Sequence, residues 1–194
     1  ELHCAATETI EASCYSANHR IPPWLNEAAA HIMELQCRGQ DAGGSGVSQN
    51  IRSRVDEFFA NPACSPIVAD ESVMSLEERR GGTRGAATLF LAPWLTSPDI
   101  MQAFLRSEAR LESRIEALAR RRFEDVFREW TLLMATTTVE NRSLSLDSVP
   151  ADRSPEQYLL IGTAFRCFDC SDDVASLVIS CDDTVQLQIS VIEP

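Results

Sequence analysis

Two cysteines separated by two residues, in Cys167-Phe168-Asp169-Cys170, are the side chains whose type and spacing most directly suggest chemistry. Such a pair grips one zinc ion from a tight turn, or cycles between dithiol and disulfide. Structural zinc takes four ligands, and Cys181 offers a third thiol in a C-x2-C-x10-C pattern. Asp182 and Asp183 are the nearest substitutes for a fourth, with His3, Cys4, Cys14 and His19 as more distant donors. The redox reading lacks a helix opening after the motif, whose positive end would stabilise a thiolate. Plain reduced thiols are the third reading. Metal binding is therefore assigned to Cys167 and Cys170, with zinc as the cofactor that the pair would take.

The other chemical candidates are weaker. His3, Cys4, Cys14 and His19 form a loose cluster whose spacing fits no finger. His31, on the helix that Trp24 opens, reads as a partly buried or surface histidine rather than a catalytic one. Asp169, Asp172, Asp173, Asp182 and Asp183 suggest calcium, yet an EF-hand loop opening at Asp169 needs glycine where Val174 stands. Arg80-Gly81-Gly82-Thr83-Arg84-Gly85 contains one Arg-Gly-Gly element of the kind found in RNA-binding segments, but a single copy in an acidic chain reads as a loop. All 17 basic residues are arginine, so a lysine Schiff base, a lysine general base and a Walker-type phosphate loop are excluded. No catalytic residues are assigned; the sequence leaves enzyme activity open and leans against it.

Charge and composition narrow the partners. The net charge of -12 argues against nucleic acid and against anionic membranes, both of which require a cationic surface. No apolar run approaches the ~20 residues that cross a bilayer. An odd count of 7 cysteines at irregular spacing fits a reduced, intracellular setting, cytoplasmic or nuclear, better than a disulfide framework. Residues 167–194 carry 6 acids and no arginine, which marks the C-terminal piece as a separate electrostatic unit.

The elements that must position these residues are mostly helical. Glu1 to Asn18 reads as a weak helix or loop. Pro22-Pro23 opens a helix to Cys37 with Trp24, Ala28, Ile32 and Leu35 on one face. A glycine-rich linker follows, Gly39 to Gly46, and then a helix capped by Ser48 that carries Ile51, Val55, Phe58 and Phe59. The glycines around residues 81–85 read as a breaker before a short buried helix from Ala86 to Trp94. Ser97-Pro98-Asp99 supplies a capping hydroxyl, a first-turn proline and a carboxylate near the positive helix end. From there Ile100, Phe104, Leu111, Ile115, Leu118, Phe123, Val126, Phe127 and Trp130 predict one long helix over residues 97–134. Pairs four residues apart, such as Glu116 with Arg120 and Arg121 with Asp125, predict ion pairs along it.

The period then changes. Residues 143–157 read as a polar linker. Residues 158–165, 176–180 and 185–192 read as strands, the last alternating Val185, Leu187, Ile189 and Val191 against polar positions. The expected fold class is α+β: a mainly α-helical domain over residues 1–142 and a small antiparallel β-meander over residues 158–194 that holds the cysteine pair. In such a meander Cys181 would lie roughly 17 Å from the Cys170 turn, at about 3.3 Å per residue. A three-cysteine site and the meander are therefore mutually exclusive.

Phe127 to Trp130, followed by Leu159-Leu160-Ile161-Gly162-Thr163-Ala164-Phe165-Arg166-Cys167-Phe168-Asp169-Cys170, resembles a group of poorly characterised basidiomycete fungal proteins that often carry an N-terminal F-box. The resemblance covers residues 115–181. Ile21-Pro22-Pro23-Trp24-Leu25 is similar to the opening of an F-box, with Trp24 in place of an acidic residue. The resemblance implies a non-catalytic protein-interaction module of the ubiquitin-ligase adaptor type, with a protein partner. The alternative from the residues alone is a zinc-containing or thiol-redox protein using Cys167 and Cys170.

Overall fold

A computed structural model describes residues 2–15, 21–38, 49–62, 65, 67, 82–136, 147–148 and 168–169. Among these residues the chain forms helices α1 (Leu2–Tyr15), α2 (Pro23–Arg38), α3 (Gln49–Ala60), α4 (Gly82–Leu91), α5 (Pro98–Arg106), α6 (Leu111–Ala119) and α7 (Phe123–Thr136). Two short extended pieces, β1 (Asp147–Ser148) and β2 (Phe168–Asp169), follow.

α1 is regular helix, with Ala6 and Ile10 spaced four apart on its buried side. α2 starts where the prolines require, and the Pro22 carbonyl accepts from the Leu25 and Asn26 N–H groups, both at 3.0 Å. The stripe Trp24, Ala28 and Ile32 is buried as its spacing predicts. Leu25, Asn26, Ala29, Ala30, His31 and Glu34 are buried too, so α2 is enclosed on nearly its whole circumference. A helix buried all round must lie between neighbours. Those neighbours are α1 and α4.

Side-chain ties give the helix directions. Glu27 pairs with Arg84 at 3.5 Å, and the Gln36 amide donates to the Leu95 carbonyl at 2.5 Å, so α2 and α4 advance together and pack parallel. Gly85 of α4 sits beside Arg54 and Val55 of α3 while Gly82 sits beside Glu57, so α3 and α4 run antiparallel. The Asn26 amide donates to Glu11 at 3.0 Å and ties α2 to α1. The resulting order is α1-α2-α4-α3, with the two most buried helices in the middle.

The glycines at 82 and 85 do not break the chain; they open α4. An added Cβ at Gly85 would lie 2.6 Å from the Arg54 carbonyl carbon, so the missing side chain is what lets α4 approach α3. Helix propensity is overridden here by packing distance.

One long helix over residues 97–134 is replaced by three. Ser97 caps α5 as expected, its hydroxyl accepting from the Ile100 N–H at 3.3 Å. At Ser107 the backbone becomes extended, and α6 starts afresh at Leu111. Arg114 bridges that break: its Nε donates to the Ala109 carbonyl at 2.7 Å and its Nη1 to the Phe104 carbonyl at 3.0 Å, satisfying acceptors that a continuous helix would have used. The second break follows from spacing. Leu118 and Phe123 are five residues apart, a rotation of about 140° on a 3.6-residue helix, so a straight rod would turn one of them away from the core. Arg120 instead takes a left-handed conformation, φ 53°, and its N–H closes α6 on the Glu116 carbonyl at 2.8 Å. α7 then starts in a new direction with Phe123, Val126, Trp130 and Met134 buried.

α7 closes the core over α3 and α4. Trp130 stacks on Phe58 with centroids 5.7 Å apart and meets Phe90 edge-on at 5.3 Å, while Phe123 and Phe127 flank Phe90 at 6.0 and 6.3 Å. α5 touches α1 at the other side of the bundle.

The expected α+β class is overturned. The only strand pairing among the described residues is β1 with β2, two residues on each side and parallel, with Asp147 opposite Phe168 and Ser148 opposite Asp169. A meander needs antiparallel neighbours joined by short turns, whereas the long connection between β1 and β2 permits a parallel crossover. A two-residue pairing is also too short to stand as a sheet, so the described architecture is helical. Residues 158–165, 176–180 and 185–192, expected as strands, lie outside the described residues, and β1 falls within the segment expected as a linker.

Candidate functional site

Cys167, Cys170 and Cys181 lie outside the described residues, as do His19, Asp172, Asp173, Asp182 and Asp183. Phe168 and Asp169, the two residues between the paired cysteines, have extended backbone in β2. Of the other cysteines, Cys4 on α1 and Cys37 on α2 are exposed free thiols. Among the described residues no group of three or more His, Cys, Asp or Glu side chains is placed to hold a metal ion.

His31 is more deeply enclosed than its sequence position suggests. It and Glu34 are each only 2% exposed, with Nδ1 and Oε2 3.9 Å apart. That separation is too long for a hydrogen bond and short enough for electrostatic coupling. The pair sits on the inner helix α2, and the parallel register places His31 level with Thr88 of α4, whose hydroxyl donates to the Arg84 carbonyl at 2.7 Å. Glu34 was open to discovery from the sequence, since i and i+3 share a helix face. The signal was masked because an acidic residue in a helix reads by default as solvent-facing.

The exposed geometry is concentrated on the α6–α7 hairpin. Glu116 Oε1 accepts the Phe123 N–H at 3.0 Å, so a carboxylate from α6 caps the first turn of α7. Arg121, in the connection, reaches along α7 and binds Glu129 through both guanidinium nitrogens at 2.8 and 2.5 Å. Hydrogen bonding to Arg121 holds the Glu129 carboxyl below the usual glutamate range, and the same bond raises the Arg121 guanidinium above its ordinary value. Arg122 pairs with Glu124 at 3.1 Å and Arg128 with Asp125 at 3.2 Å. These are not the four-residue pairs that a continuous helix predicts. The turn at Arg120 changes which side chains meet, so Arg121 passes Asp125 and closes on Glu129.

Two large apolar side chains are left in solvent on this hairpin. Leu118, in the last turn of α6, is 38% exposed, and Leu133 of α7 is 54% exposed. Leu133 stands one helical turn beyond Glu129, on the same face of α7. Leu132 beside it is half-buried.

A scan against protein-family models, a search of curated proteins and a search of solved structures each returned no match.

Proposed function

We propose that this chain is a non-catalytic helical protein-interaction module that presents the α6–α7 hairpin to a protein partner. The observation that carries this reading is the placement of Leu133 and Leu118. Single exposed leucines are ordinary on protein surfaces. Here both of the large apolar residues exposed among the described residues fall on the α6–α7 hairpin, which also carries the bidentate Arg121–Glu129 ion pair. Burying a leucine side chain at an interface contributes roughly 1.5–3 kcal/mol, and charged neighbours add register more than affinity. The acidic balance of the chain favours a protein partner over nucleic acid.

The finer reading, an F-box-type adaptor within a ubiquitin ligase, draws on the sequence resemblance. It must accommodate the fact that Trp24 and Leu25 of the F-box-like segment are buried in this chain's own core, which leaves Pro22 and Pro23 as the exposed residues there. Affinity purification of the wild-type chain in parallel with Leu133→Asp tests the proposal. Proteins recovered reproducibly with the wild type and lost with the variant support it; equal recovery with both contradicts it.

A further inference from the structure

We draw no further inference here: the strongest candidate, the solvent-facing side of α7 around Leu133, belongs to the surface already described, and nothing in the structure shows what covers it.

Discussion

Gly85 of α4 lies against the backbone of Arg54 in α3 so closely that an added Cβ would stand 2.6 Å from the Arg54 carbonyl carbon and 3.0 Å from the Val55 nitrogen. Two effects compete at this position. Alanine is the better helix former by ~1 kcal/mol, while forcing an extra carbon into a packed contact costs about 1–3 kcal/mol. The obstacle is main chain on a neighbouring helix and cannot rotate aside, so the packing cost wins. Gly85→Ala is expected to lower the urea midpoint. Gly82→Ala meets the Ser65 side chain, whose hydroxyl donates to the Asn61 carbonyl, and its nearest main-chain neighbour, the Glu57 carbonyl carbon, would stand 3.5 Å away, so it is expected to cost less. Equal effects of the two substitutions would contradict the close α3–α4 approach.

Arg114 ties the start of α6 to the end of α5 with two hydrogen bonds to carbonyls, and its guanidinium lies 5.5 Å from the centre of the Phe104 ring. Arg114→Ala is expected to destabilise the chain by ~1–2 kcal/mol in chemical denaturation. Arg114→Lys should recover little of that loss, because an ammonium lacks the planar fork that reaches both acceptors. Full rescue by lysine would show that charge alone matters at this position.

The Arg121–Glu129 clasp carries a pH signature. The Glu129 carboxyl is depressed in the folded chain and returns to its ordinary value on unfolding. Its contribution to stability is therefore complete above the ordinary glutamate range and is lost as pH falls through the lowered folded-state value. Both side chains are solvent-exposed, so the effect is small and screened by salt. Thermal melts of wild type and Glu129→Gln are expected to differ slightly at neutral pH and low salt, and to converge in acid or at high ionic strength. A gap that widens in acid would contradict this assignment.

His31 and Glu34 are coupled across 3.9 Å in the interior. Either single substitution to alanine removes a buried polar neighbour and opens space, at a cost of ~2 kcal/mol or more. In a double-mutant cycle the joint substitution is expected to cost less than the sum, with a coupling of at least ~0.5 kcal/mol. Strict additivity would mean that the two side chains are buried independently.

The helices were legible wherever periodicity and capping agreed. Pro22-Pro23 before Trp24 and Ser97-Pro98-Asp99 each mark a helix start that the structure shows. Breaks set by tertiary packing were not legible. Nothing at Ser107 to Arg110 is a strong breaker, and the interruption becomes intelligible only once Arg114 is seen closing α5. The second break did leave a trace, the five-residue interval between Leu118 and Phe123, but an otherwise regular apolar stripe concealed it. At Gly82 and Gly85 local propensity pointed the wrong way, because the close approach of α3 is a distant cause. The cysteine pair that dominated the sequence falls outside the described residues, and the hairpin emphasised by the structure had no motif to announce it. Exposed leucines become visible only after the rest of the apolar set has been buried.

Under the proposed function, the Leu133 side of α7 binds a protein. The most direct measurement is site-specific photocrosslinking from position 133 in cells, repeated with the probe at Arg52, an exposed position on α3. A discrete crosslinked protein adduct from position 133, absent from position 52, is the predicted result. No adduct from position 133, or the same adducts from both positions, would contradict the claim.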